Sequence, residues 1–135
     1  MEKNNIIAEE SEFKKNSVRI LKGSISAIIL SALFMLIFAM LLCYTNIQEN
    51  TMIPVIFVTT GISILIGSMI STRKIKKNGL INGGLVGLIY IITLYIVSSL
   101  FLAGFSITFN SILMLIIGAT MGMIGGIIGV NLNKK

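Results

Sequence analysis

The side chains in this sequence that could act on a substrate are almost all hydroxyls. Ser31, Thr59, Thr60, Ser63, Ser68, Thr93, Ser98, Ser99 and Thr120 lie in long apolar segments, with Tyr90 and Tyr95 among them. A serine hydroxyl becomes a nucleophile only beside a base that takes its proton. The chain has no His, and its acidic residues, Glu2, Glu9, Glu10, Glu12 and Glu49, all stand outside those segments. Metal ligation needs clustered His, Cys or carboxylate side chains, and the one Cys is Cys43. The expectation is a chain with no catalytic residues, no cofactor site and no metal site, and thus not an enzyme.

The segments that carry the hydroxyls explain why they are so poor in chemistry. The chain has 135 residues, is 55% hydrophobic and only 12% charged, and has a mean hydropathy of +0.96. Soluble domains carry about 25% charged residues. Between Gly23 and Tyr44 there is no charge, and at about 1.5 Å per residue that stretch makes a helix long enough for a hydrocarbon core of about 30 Å. Three more such stretches follow. The spans are expected at about 20–44, 52–71, 80–102 and 111–132. Pro54 falls in the first turn of the second, where a missing N–H costs little.

Two rival readings fail. A cleaved signal peptide has a shorter apolar region ending in small residues, whereas Leu41 and Leu42 precede Cys43. Strands of an outer-membrane barrel alternate apolar and polar residues, and runs such as Met114-Leu115-Ile116-Ile117 do not. The fold class is therefore an all-α integral membrane protein, a four-transmembrane-helix bundle. Residues 1–19 read as a polar cytoplasmic tail, solvated like most untethered termini. The alternative is a short helix lying on the membrane surface, carrying Phe13, Val18 and Ile20, that runs into the first span.

The net charge of +6 comes from eleven Lys and Arg residues, and their placement reports topology. Lys3, Lys14, Lys15, Arg19 and Lys22 precede the first span. Arg73, Lys74, Lys76 and Lys77 fill the middle loop, and Lys134 and Lys135 follow the last span. The other two loops hold none. On short loops this asymmetry places the basic side in the cytoplasm. The expected location is the cell membrane, multi-pass, with both termini cytoplasmic. Lys22, Arg73, Lys74, Lys76, Lys77, Lys134 and Lys135 are then topology or lipid-headgroup contacts. No nucleic-acid partner is expected, since the middle cluster is too short to form a groove.

Glycine placement supplies the packing logic. Gly118, Gly122 and Gly126 recur every four residues, and Gly125 with Gly129 forms a second row. Gly83 and Gly87 repeat the spacing in the third span, and Gly67 with Ser71 in the second. Such rows let helix backbones approach closely in lipid, where van der Waals contact replaces the missing hydrophobic drive between helices. Packing within one bundle is the first reading; self-association or contact with another membrane protein is the next. A phosphate-binding loop is excluded, because no strand precedes the glycines and the lysine of that motif is missing. The chain also reads as two parallel hairpins: Leu21-Lys22-Gly23-Ser24 parallels Ile81-Asn82-Gly83-Gly84 at an offset of 60, and Gly61, Gly67, Ser68 and Ser71 parallel Ala119, Gly125, Gly126 and Gly129 at 58.

Leu21-Lys22-Gly23, Gly67, Asn78-Gly79-Leu80 with Gly83 and Gly87, and Gly125-Gly126-Ile127-Ile128-Gly129-Val130-Asn131-Leu132 together resemble the YrzE-like family of small membrane proteins from Firmicutes, over roughly residues 17–133. The resemblance implies four spans and carries no activity. Three functions are open from the sequence: a structural or accessory protein working through helix–helix contacts, a subunit of a small oligomeric transporter or channel, and a membrane docking site for a soluble partner. A transporter is disfavoured by the lack of ionisable groups inside the spans. It gains if Thr59, Ser63, Tyr90, Thr93 and Thr120 line one cavity, and loses if they turn separately to backbone carbonyls.

Overall fold

A computed structural model describes residues 1–75, 77–101 and 108–133. Four helices make up the fold: α1 (Glu2–Tyr44), α2 (Met52–Thr72), α3 (Gly79–Phe101) and α4 (Phe109–Leu132). A single 3-10 turn, Glu49–Thr51, leads into α2. No strand occurs among the described residues. All four helices are long and apolar enough to cross a membrane, and the chain is a multi-pass membrane protein built as a four-helix bundle. The observed helices match the expected spans to within two residues wherever both limits are described, except at the start of α1. Leu102, the end of the expected third span, and residues 103–107 of the turn after it lie outside the described residues.

The exception is large. Residues 2–19 are helical and continuous with the first span, so α1 runs for 43 residues, or about 65 Å. The segment runs into the span as one unbroken helix, not as the short surface helix of the alternative. The local cause is composition: between Glu2 and Lys22 there is no Gly and no Pro, and Glu, Lys, Ala and Arg are strong helix formers. About 20 of these residues, some 30 Å of helix, extend past the uncharged stretch.

α1 and α2 pack as one antiparallel pair and α3 and α4 as another. The pairs then associate chiefly between α2 and α4; α2 and α3 each touch all three other helices, while α1 and α4 do not meet among the described residues. α1 is the least covered: 11% of its apolar window is buried, against 28% in each of the others. Gly23 faces Gly67 and Ser71, Gly83 faces Gly122 and Gly126, and Gly125 and Gly129 face Leu65 and Met69. These contacts make α2 parallel to α4, so both hairpins point the same way. The contacts do not follow the 58-residue offset, however. Gly67 meets α1, whereas its proposed counterpart Gly125 meets α2.

The link from α2 to α3 is tight. Ile75 is buried at 3% exposure, and its N–H donates to the Thr72 carbonyl at 2.9 Å. Asn78 takes a left-handed backbone with φ 60, a conformation Asn tolerates better than most residues. Gly79 then starts α3, where a Cβ would run into the side chain of Val130 and the Gly126 carbonyl. Asn82, expected near this edge, donates from Nδ2 to the Asn78 carbonyl at 3.1 Å.

Candidate functional site

Buried residues occupy one half of the bundle. They run from Ile20 to Ser31 in α1, Gly61 to Thr72 in α2, Gly79 to Ile91 in α3 and Gly118 to Gly129 in α4. Since α2 is antiparallel to α1, and α4 to α3, these stretches lie side by side. They adjoin Arg19, Lys22, Arg73, Lys74 and Lys77, so the packed half is also the basic end. The other half contributes no buried residue among those described.

The glycines singled out from the sequence all sit in the packed half, and all are spent on contacts inside this chain. A Cβ on Gly87 would overlap the Gly118 carbonyl, and one on Gly126 the Gly79 carbonyl. On Gly125 it would come within 3.0 Å of the Leu65 Cα, and on Gly67 within 2.7 Å of the Gly23 carbonyl. A Cβ on Gly129 would meet the Thr72 hydroxyl. Gly83 and Gly122 oppose one another across α3 and α4. Ser71 is buried and donates to the Arg19 carbonyl at 2.9 Å. Sequence reasoning missed Gly23 and Ala27 as the facing positions on α1. The signal was present in their four-residue spacing with Ser31, a small-residue row on the first span.

The hydroxyls divide into separate local arrangements. Ser68 donates across helices to the Gly122 carbonyl at 2.6 Å. Thr93 and Thr120 turn back to carbonyls of their own helices, Ile89 at 2.7 Å and Ile117 at 2.9 Å. Tyr90, 1% exposed, sits in the core with Ala27, Ile64 and Ile91, its hydroxyl in hydrogen-bonding contact with those of Ser31 and Thr60. The Ser63 hydroxyl is buried with no hydrogen-bond partner among the described residues. Thr59 is half-buried. None of these residues lines either of the two grooves at the basic end.

The concave surfaces are at the basic end, on either side of α1. The larger groove, about 1020 Å³, runs between the N-terminal part of α1 and the last turns of α2 and is lined by Lys14, Lys15, Val18, Arg19, Lys22, Ile70 and Lys74 among others. The smaller, about 680 Å³, lies toward the α2–α3 link and the start of α3, with Arg19, Lys74, Lys77 and Asn78 among its lining residues. The Arg19 guanidinium donates to the Lys74 carbonyl at 2.8 Å, which fixes the spacing between α1 and the link. Of the basic residues expected to set topology, Lys22, Arg73, Lys74 and Lys77 are exposed; Lys76, Lys134 and Lys135 lie outside the described residues. Cys43 is free and exposed, at the other end of α1. Among the described residues no group of three or more His, Cys, Asp and Glu side chains comes together.

No match to this chain is found among curated proteins or among solved structures. A family profile does match, over residues 16–129, which takes in all four helices and leaves out most of the N-terminal extension. By that match the chain belongs to the family described as protein of unknown function DUF3792.

Proposed function

We propose that this chain is a small structural or accessory protein of the cytoplasmic membrane, not an enzyme, and that it works by helix–helix contact with a second copy or with another membrane protein. The observation that carries this reading is the distribution of packing. The glycine rows hold the chain together at its basic end, whereas in the remaining helix halves no described residue is fully buried and large apolar side chains stand exposed. Phe34, Leu36 and Ile37 of α1 and Ile112 and Ile116 of α4 are exposed there. Within the family we place the chain with the YrzE-like membrane proteins, on the motifs from Leu21-Lys22-Gly23 to Val130-Asn131-Leu132.

The basic end faces the cytoplasm in this reading, because every Lys and Arg belongs to the termini or to the α2–α3 link. Replacing Arg73, Lys74, Lys76 and Lys77 by Gln should give a mixed topology, read by labelling of single cysteines with a membrane-impermeant reagent. Unchanged labelling would remove charge as the basis for this orientation. The transporter reading gains nothing from Thr93 and Thr120, which turn back to carbonyls of their own helices, while Tyr90 joins Ser31 and Thr60 across three helices.

Photo-crosslinking tests the contact reading. A photoreactive residue is placed at Ile37 or Ile116, and adducts formed in native membranes are identified. Discrete protein adducts of one or two masses are expected. Lipid adducts alone, at both positions, would sink the proposal.

The soluble-partner reading has an observation of its own. The N-terminal extension of α1 is a helix with Ile6, Ile7 and Phe13 exposed, which is surface suited to a partner outside the membrane. Removing residues 2–15 should then abolish recovery of a soluble protein from crosslinked cells while leaving membrane insertion intact. Recovery unaffected by the truncation would exclude the extension as the docking element.

A further inference from the structure

The larger groove at the basic end has a chemistry that the contact reading does not use. Its charged lining is one-sided: Lys14, Lys15, Arg19, Lys22 and Lys74 are opposed by Glu10 alone. Its other walls include Val18 and Ile70, both exposed apolar side chains. The groove thus offers cations at one edge and hydrocarbon at the other.

Position adds a second constraint. Lys22 is the last charged residue before the uncharged stretch that begins at Gly23. Ile70 stands in the last turns of α2, just before Arg73 and Lys74. The basic edge therefore sits where a span leaves the hydrocarbon, at headgroup depth, and the apolar edge continues into the lipid-facing surface. The groove is also held open by interhelical bonds that are already made. Ser71 donates to the Arg19 carbonyl at 2.9 Å, and Arg19 donates to the Lys74 carbonyl at 2.8 Å. Both join α1 to the end of α2 beneath the lysines.

We propose that this groove between α1 and the end of α2 is a binding site for an anionic phospholipid, with Lys15, Lys22 and Lys74 on the phosphate and Val18 and Ile70 beside the first part of an acyl chain. A free phosphate would use the cations and leave the apolar wall wet; a phospholipid uses both. Ammonium groups suit phosphate as point charges and need no fixed plane. The proposal is independent of any protein partner and of which leaflet holds the basic end, so it stands or falls separately from the contact reading.

Native mass spectrometry of the full chain in micelles tests it, with equal amounts of phosphatidylglycerol and phosphatidylcholine of the same acyl chains. The wild-type protein should retain phosphatidylglycerol over phosphatidylcholine by at least about tenfold, since each basic residue near a lipid surface contributes severalfold. Lys15→Gln, Lys22→Gln and Lys74→Gln together should bring the ratio to within about twofold of one, and the three Lys→Arg changes should restore it. The charge-matched set Lys3→Gln, Arg73→Gln and Lys77→Gln, outside the groove, should leave the preference in place. Equal loss in both sets would mean a diffuse surface field and overturn the site. Retention of added inorganic phosphate with no preference for phosphatidylglycerol over phosphatidylcholine would assign the cations to phosphate alone and overturn the lipid. A wild-type measurement covers the case in which the groove variant fails to fold. Phosphatidylglycerol carrying a photoreactive group near the glycerol should label peptides containing Val18 and Ile70; labelling spread evenly over all four helices would also overturn the proposal.

Discussion

The two halves of the bundle meet lipid on different terms. At the basic end, α1 and α2 approach through Gly23, Ala27, Gly67 and Ser71, and α3 and α4 through Gly83, Gly87, Gly118, Gly122 and Gly126. Small side chains bring backbone against backbone, which is how helices associate when the surrounding tails are as apolar as their own side chains. At the other end the same helix faces continue in Met35, Phe38, Leu42, Met114 and Ile117, which are only half-buried, and residues such as Leu33, Leu36, Ile112 and Ile116 are exposed. A large apolar side chain there gains nothing from hydrophobicity by leaving lipid for a neighbouring helix, so a partner that covers it must do so by close packing. The comparison teaches that hydropathy decides what enters the membrane, whereas side-chain size decides which part of each span is packed.

Adding bulk should break the comparison most visibly. Gly126→Leu would drive a Cβ into the Gly79 carbonyl and to 2.8 Å from the Gly83 Cα. The obstacle is backbone on an opposing helix, so no flexible side chain can move aside. We expect a loss of about 3 kcal/mol or more, at or beyond the upper end of overpacking costs, measured by unfolding in mixed micelles followed by far-UV circular dichroism. The matching change in the open half, Ala39→Leu on exposed α1 surface, should stay within about 0.5 kcal/mol. Equal losses at the two positions would mean that the open half is packed as tightly as the basic end.

Much of this fold was legible because a bilayer leaves few choices. Backbone groups in lipid must be satisfied within their own helix, so four uncharged stretches had to be four helices, and the end points followed from Arg73, Asn78 and Gly79. The glycine rows were legible as packing surfaces for the same reason. Their partners were not, because a row of small residues says that something comes close and not which helix it is. Gly125 and Gly129 meet α2, whereas Gly67 and Ser71, aligned with them at the 58-residue offset, meet α1. The α1 extension was only half legible. Its charges argued for solvent, and a solvated helix has the same composition as a solvated coil rich in Glu and Lys. The groove was hidden for a different reason: Lys15 and Lys74 are far apart in sequence, and only the α1–α2 crossing puts them on one surface.

A smaller effect sharpens the comparison by removing one bond at a time. Ser68 is fully buried and donates from α2 to the Gly122 carbonyl on α4. That carbonyl already serves its own helix, so Ser68→Ala removes a bond between the two hairpins and leaves a void about the size of an oxygen. A cost of about 0.6 kcal/mol, and no more than about 1.7, is expected from interhelical hydrogen bonds in membranes.

The least effect is expected where a hydroxyl serves only its own helix. Thr93 donates to the Ile89 carbonyl one turn away, in the first turns of the open half of α3. That carbonyl is already part of the α-helical ladder, and the Thr93 bond survives whether or not the hairpins are associated. Thr93→Ala should therefore leave hairpin association within about 0.3 kcal/mol of the parent, since a bond present in both states cancels from the difference. Dissociation of separately expressed 1–76 and 77–135 halves, followed by energy transfer between labels, reads this quantity directly. A cost for Thr93→Ala that equals or exceeds that of Ser68→Ala would show that the outer part of α3 is engaged with another helix, and the division between a packed half and an open half would have to be redrawn there.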